Sequence, residues 1–347
     1  MKEYKITDFN KIAIIQTAFL GDVALALYLA QTIKYLHLSS HLYFVTTPLA
    51  SPLASVAKAI DTVVTYDKRG LQSGFKGIKR IANYLNELGI ECILAPHRSL
   101  RTTLLTFLSK PNFSVGFDKN AFSFIFSKRI KYIKNIHEIS RNALLLNAFN
   151  DLPAFDDKNK VELDFAIEDE IFIDNLLNKY NLINRKIIAL APGSIWLTKR
   201  WPSNYYSDLY KQLIKKDIAV ILIGSNQDYQ LCNEIAGESN AINLAGLLTL
   251  PQTLLILSNC DLVVTNDSAP THFAGLVSTP TITIFGPTSP SFGFSPIGPK
   301  DIILVNDSLK CHPCHIHGSN KCPLNTHECM KSITTEMVLN KINEVIF

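Results

Sequence analysis

Apolar and polar positions alternate along this chain in a repeating rhythm. Short aliphatic and β-branched runs, IAIIQ, LYFVT, TVVTY and CILAP, are each followed by a longer stretch of mixed pattern, over 21–36, 49–59, 73–88 and 99–109. The short runs suit strands and the longer ones helices, and their alternation predicts βαβ units on a parallel sheet. A polar stretch, DLPAFDDKNK at 151–160, breaks the rhythm and is the candidate linker. The alternation then restarts with IIALAP, a helix over 203–216, AVILIG, a helix over 226–237, DLVVT, a helix from Pro270, and TITIF. The expected fold class is α/β: two Rossmann-like, doubly wound parallel-sheet domains, 1–160 and 161–347, facing across a cleft. Ligands in such sheets bind beyond the carboxyl ends of strands, so the turns there are where to look for chemistry.

The first such turn lies in IIQTAFLGDVAL, residues 14–25, where the strand meets Gly21-Asp22 before a helix resumes. A dinucleotide fingerprint needs three glycines spaced G-x-G-x-x-G and this turn has one, so a role other than cradling pyrophosphate is expected at Asp22. The turn after IIALAP reads GSIWLTKRWP. There Gly193 and Ser194 can bring backbone N–H groups close to a ligand, and Lys199 and Arg200 set two cations before a helix that Pro202 or Ser203 can start. Cations and a helix N-terminus together suit an anion; the plainer alternative is a surface turn with Trp201 packed inward. Next, TNDSAP at 265–270 offers Asp267 or Ser268 as N-cap and Pro270 as first helical residue, ahead of His272. Gly286, Pro287, Thr288 and Ser289 follow TITIF and complete the rim of a phosphate and ribose site.

Composition narrows the class. At 347 residues, with 47% hydrophobic and 18% charged residues, the chain can bury two ordinary cores. No run approaches the roughly 20 apolar residues of a membrane span. Ala24-Leu25-Ala26 resembles a signal cleavage site, but Glu3 and Asp8 occupy the place of a positive region and Gln16, Thr17 and Asp22 interrupt the apolar one, so a cytoplasmic chain is expected. The net charge of +4 hides an asymmetry: residues 1–160 hold 21 Lys+Arg against 12 Asp+Glu, the remainder 13 against 18. The excess is densest between Arg98 and Arg141. A basic half fits an anionic partner such as phosphorylated lipid, nucleic acid or a membrane surface, or is simply a solvated face.

Four stretches, FLGDVAL, APGSIWLTKRWP, NLAGLLTLPQTLLILSNCDLVVTNDSAPTHFAG and IFGPTSPSFGFSP, with the tail CHPCHIHGSNKCPLNTHECM, carry a resemblance that spans nearly the whole chain. In this order they are similar to family 9 of the glycosyltransferases, the ADP-heptose:lipopolysaccharide heptosyltransferases. The resemblance implies a GT-B fold in which the first domain receives a phosphorylated lipid A–core acceptor and the second binds ADP-heptose. It implies inverting transfer with no metal required, by a cytoplasmic monomer at the inner face of a Gram-negative inner membrane, without a nucleic-acid partner. Asp22 then matches the general base and Lys199 the lysine that neutralises donor phosphates. Asp267, Ser268 and His272 fall on a D-[ST]-G-x-x-H segment lining the diphosphate, where Ala269 replaces the usual glycine. Gly193, Ser194, Arg200 and Gly286 complete the implied donor site. Gln227 or Asp228 holds the ribose, and Lys68, Arg69, Arg98 and Arg101 are the acceptor candidates.

Cys311, Cys314, Cys322 and Cys329, spaced C-x2-C-x7-C-x6-C among His312, His315, His317 and His327, form a candidate structural zinc site. Two disulfides are the rival, disfavoured in a reducing compartment. Cys92, Cys232 and Cys260 fall in core-like runs. A nucleotide-dependent oxidoreductase is disfavoured by the missing glycine fingerprint. A zinc module for nucleic acid would leave Asp22 without a role, and the basic residues lack interleaved aromatics. A relative acting on another sugar or core step is the alternative within the family.

Overall fold

The computed structural model describes residues 3–150, 152–156, 158–237 and 241–347. Asp151 and Asp157 of the candidate linker lie outside the described residues. The chain forms two compact units, Met1–Asp164 and Phe165–Phe347.

In the first unit the order is β1 (Lys11–Ile15), α1 (Leu20–Leu36), β2 (His41–Thr46), α2 (Ser51–Ser55), β3 (Thr62–Thr65), α3 (Gly74–Glu87), β4 (Cys92–Ala95), α4 (Leu100–Leu108), β5 (Phe113–Phe117), β6 (Lys128–Ile130) and α5 (Glu138–Ala143). The strands pair in parallel in the order β3-β2-β1-β4-β5-β6. Both faces of the sheet are covered, which is why its strands read as unbroken apolar runs. On one face Ala13, Ile15, Tyr43, Val45, Val64 and Ile93 meet Ile78, Ile81 and Leu85 of α3 and Leu105 of α4. Helix α1, buried from Val23 to Ala30, packs against α2 and α5.

The second unit runs α6 (Ile167–Lys179), β7 (Ile187–Ala191), α7 (Ser203–Lys215), β8 (Ala219–Leu222), α8 (Tyr229–Ala236), β9 (Ile242–Asn243), α9 (Leu250–Ser258), β10 (Leu262–Asn266), α10 (Ala269–Leu276), β11 (Thr281–Phe285), β12 (Ile302–Val305), α11 (Glu328–Lys331) and α12 (Thr335–Ile346). Its strand order is β12-β11-β10-β7-β8-β9, the same 3-2-1-4-5-6 winding as the first unit. Ile188, Leu190, Val220, Leu222, Val264, Ile282 and Ile284 pack with Trp201, Tyr206 and Leu209 and with Met330, Val338 and Ile342 from the tail. Trp201 is buried and its indole donates to the Ile333 carbonyl at 2.7 Å. Cys92, Cys232 and Cys260 are buried, as their apolar neighbourhoods imply.

The structure corrects several local expectations. The helix expected over 49–59 is cut to Ser51–Ser55. Returning chain takes its backbone groups: Lys58 N donates to Glu162 O, Asp164 N to Val56 O, and Ala57 pairs with Leu163. Gly21 and Asp22 are not in a loop but in the first turn of α1, which starts at Leu20. Ser268, not Asp267, occupies the N-cap position of α10, and Ala269 precedes Pro270 as its first residue. The broken rhythm of residues 110–150 adds β5, β6 and α5.

A Cβ added at Gly77 in α3 would lie 1.8 Å from the Gln72 carbonyl oxygen. Because a backbone atom rather than a flexible side chain blocks it, Gly77→Ala is expected to destabilise the first unit by about 3 kcal/mol, the upper end of ordinary overpacking costs, measured by urea unfolding.

Candidate active site

A doubly wound sheet turns its connections in opposite directions at the strand where the order reverses, and the carboxyl ends there open a crevice. In the first unit that point lies between β1 and β4. The chain leaving β1 carries Thr17 and Asp22, and the chain leaving β4 carries His97 and Arg98.

Asp22 sits in the first turn of α1, where a carboxylate suits the helix dipole. Its Oδ2 accepts the Phe19 backbone N–H at 3.3 Å, so the group does cap its helix. Its own N–H also draws on the carboxylate. Dense surroundings that still leave access to solvent push its pKa from 3.8 up to about 6, against the opposing pull of backbone N–H groups, Arg98 and Lys68.

The surroundings are cationic. Lys68 Nζ donates to the Thr17 carbonyl, and its pKa is lowered by burial, then by Arg101 and Arg69, with Asp22 pulling the other way. The Arg98 guanidinium lies 4.0 Å from the centre of the Tyr132 ring, and Arg141 lies 4.9 Å from it. Arg141 also holds the Ile133 and Ile136 carbonyls and is ion-paired with buried Glu138. Burial raises the Glu138 pKa to about 7 against the pull of Arg141, and neighbouring Asp22 adds to the rise. His97 Nδ1 lies 3.2 Å from Thr17 Oγ1 and 3.1 Å from Thr102 Oγ1. Its pKa falls to about 4 through burial and then through Lys68, Arg98 and Arg101. Arg98 and Lys68 act on Asp22 directly and Arg101 and Arg69 act on Lys68, so cations from two separate connections form one electrostatic group around it.

In the second unit the reversal lies between β7 and β10. Lys199 ends a 3₁₀ turn after β7, and its Nζ pairs with Asp267 Oδ2 at 2.6 Å. Thr288, after β11, donates to the same oxygen at 2.6 Å. Three loops therefore converge just ahead of α10, with the ammonium and the helix N-terminus adjacent. This arrangement suits a phosphate. Asn266 fixes the base of the site: its Oδ1 accepts from Trp201 N at 2.9 Å and its Nδ2 donates to Pro192 O at 2.8 Å.

Of the two ribose candidates, Gln227 is exposed while Asp228 is buried. Asp228 accepts from Ser225 N and Oγ at 2.9 and 2.6 Å, and Arg200 lies 3.6 Å away. Arg200 Nε also donates to the Ser194 carbonyl at 2.9 Å. A Cβ on Gly193 would meet the Asp228 carboxylate at 2.4 Å, so glycine there lets the two loops touch. Ala269 is helical and has no positive φ, so no glycine conformation is needed at that position. His272 is buried in α10, and Gly286 backs onto Met330 at a distance that leaves no room for a Cβ.

The Cys/His-rich segment lies on these loops. Ser319 accepts from Thr198 N at 3.0 Å and Oγ1 at 2.8 Å, and His327 Nε2 donates to Thr198 O at 2.8 Å. Cys314 N and His315 N donate to Pro287 O, and His312 Nε2 to Thr288 O at 2.8 Å. Gly318, at φ +91°, lies so close to the Lys199 stem that a Cβ would come within 2.8 Å of its Cγ. All four tail cysteines are free thiols. Neighbouring Cys314, Cys322 and Cys311 reinforce the burial that pushes Cys329 up to about 11. Among the described residues no three His, Cys, Asp or Glu side chains converge as a metal would require. The segment staples the loops carrying Lys199 and Thr288.

Sequence reasoning missed His97, Tyr132, and the Glu138–Arg141 pair. None stands in a motif; only the position of His97 immediately beyond a predicted strand could have marked it.

Against known proteins, residues 78–323 match the family described as glycosyltransferase family 9 (heptosyltransferase). The chain is 27% identical to lipooligosaccharide heptosyltransferase 2 of Haemophilus influenzae over 96% of its own length and 99% of that protein's. Among solved structures, a glycosyl transferase family 9 protein from Veillonella parvula aligns with a TM-score of 0.86 at 19% identity, covering 99% of this chain and 98% of that one. The E. coli ADP-heptose lps heptosyltransferase II aligns at 0.76 and 20%, covering 96% and 98%. The fold is that of the GT-B heptosyltransferase structures.

The Asp22 carboxyl is expected to titrate near pH 6 in the folded protein, read by carboxyl carbon NMR. The native state holds its proton to a higher pH than the unfolded chain does, so ionisation between pH 4 and 6 costs stability. Asp22→Asn should therefore raise the melting temperature at pH 8 and change it little at pH 4.

Proposed function

Since the chain belongs to glycosyltransferase family 9, the heptosyltransferases, we propose that it moves heptose from ADP-heptose to the heptose/Kdo–lipid A inner core during lipopolysaccharide core biosynthesis. The observation that carries this reading is Asp22: a carboxylate anchored to the first turn of its helix by the Phe19 N–H and set beside Arg98 and Lys68.

The first unit takes the acceptor. Lys68, Arg69, Arg98 and Arg101 meet its anionic groups, and Asp22 accepts the proton of the attacking hydroxyl. A pKa near 6 leaves Asp22 mostly ionised at neutral pH yet more basic than an ordinary aspartate, which suits a general base. The second unit takes the donor. Lys199 and the N-terminus of α10 stabilise charge growing on the departing ADP, and their positions are set beforehand by Asp267 and Thr288. Asp228 and Arg200 border the ribose. Transfer is read as a single inverting displacement in which a carboxylate takes the proton and a lysine, rather than a divalent ion, meets the leaving group. No helix among the described residues is long and apolar enough to cross a membrane. Contact with the inner face of the inner membrane is read as peripheral, through the basic excess of the first unit, by a monomer.

Asp22→Ala is expected to reduce transfer by about 10²–10⁴-fold while ADP-heptose binding by calorimetry stays near wild type; equal loss of binding would make Asp22 purely structural. The acid limb of kcat/KM should fall near pH 6, since activity requires the ionised form. Gly318→Ala, by displacing the Lys199 stem, should raise the KM for ADP-heptose and leave that for the acceptor unchanged. The pathway assignment rests on mass spectrometry of the core from a strain lacking this protein: truncation after the first heptose is expected, and an unchanged core would refute it.

A further inference from the structure

His97 stands at the carboxyl end of β4, across the reversal point from the end of β1, and no motif includes it. Its protonation pattern follows from hydrogen-bond accounting. Thr17 is 2% exposed, and Nδ1 of His97 is the one partner of its hydroxyl among the described residues. A buried hydroxyl hydrogen needs an acceptor, so Nδ1 must supply a lone pair. Thr102, also 2% exposed, lies against the same nitrogen, but its hydroxyl hydrogen has an acceptor of its own in Ser99 Oγ, 2.9 Å away, so the demand comes from Thr17. The ring hydrogen is thereby forced onto Nε2, which has no partner among the described residues. The ring is half-buried rather than sealed.

We propose that His97 binds the acceptor, its Nε2–H donating to an oxygen of the sugar that receives the transferred group. The proposal rests on the glycosyl-transfer reading above. Lys68, Arg98 and Arg101 surround the imidazole and, with burial, hold it neutral at physiological pH. It is therefore a directional donor within a ring of point charges. The cations attract an anionic acceptor without fixing its rotation, and a single oriented N–H beside Thr17 does fix it, presenting one hydroxyl to Asp22. Thr17 ties the parts together: its hydroxyl orients His97 and its carbonyl holds Lys68.

The test combines kinetics with nitrogen NMR of the whole chain. With ADP-heptose and O-deacylated heptosyl-Kdo-lipid A as substrates, His97→Phe should raise the acceptor KM about tenfold, the worth of one good hydrogen bond, and leave the donor KM unchanged. His97→Gln, which keeps an N–H donor, should recover part of that loss. In the wild type, the His97 Nε2 resonance should be that of a protonated nitrogen and Nδ1 that of an unprotonated one. Thr17→Val combined with Thr102→Val should erase that preference and raise the acceptor KM. If His97→Phe does not fold, the wild-type spectrum and the threonine variant decide. An Nδ1–H tautomer, an unchanged acceptor KM, or equal loss for both substrates would overturn the assignment. A wild-type chain that transfers no heptose would instead overturn the function on which it rests.

Discussion

The parallel pairing of β1 with both β2 and β4, repeated as β7 with both β8 and β10, is the constraint on which the rest depends. A parallel strand cannot be followed by a tight hairpin, so every connection crosses the sheet and every loop of interest gathers at the carboxyl edge. Where the order reverses, two neighbouring connections diverge and expose backbone and side chains between them. Each unit places its chemistry at that point: Asp22 and His97 in the first, Lys199 and Asp267 in the second.

The two sites solve opposite electrostatic problems. In the first unit a carboxylate is retained beside Arg98 and Lys68, and burial outweighs their attraction, so Asp22 holds its proton more tightly than a free aspartate. The burial that costs stability is what makes it a better base. Glu138 meets the same burial, and its partner Arg141 is fixed by two backbone carbonyls. In the second unit the Lys199 ammonium is held by Asp267 Oδ2, an oxygen that Thr288 fixes in turn, so the cation is ordered in advance of any ligand.

The tail illustrates how a chemically suggestive composition can serve a mechanical end. His312 and His327 spend ring N–H groups on the carbonyls of Thr288 and Thr198, and Ser319 bonds Thr198 through both backbone and side chain. Met330 then carries the segment into the core beside Ile284 and under Gly286. The loops that carry Lys199 and Thr288 are long and each holds one short 3₁₀ turn, and these hydrogen bonds tie them to the tail.

The sequence by itself determined the layered α/β architecture, because burial on both sheet faces forces unbroken apolar strands whose period is visible along the chain. It also marked Asp22, Lys199 and Asp267, since each lies on the connection that leaves such a strand, and the family resemblance implied roles for them. Only the tertiary structure separated Gln227 from Asp228, exposing the first and burying the second against Gly193 and Arg200, residues distant in sequence. It alone shortened α2, whose backbone partners lie a hundred residues away, and showed that Asp22 caps its helix. His97 was invisible for the same reason: a lone histidine carries no pattern, and its tautomer is set by Thr17, eighty positions earlier, which a parallel sheet brings to its side.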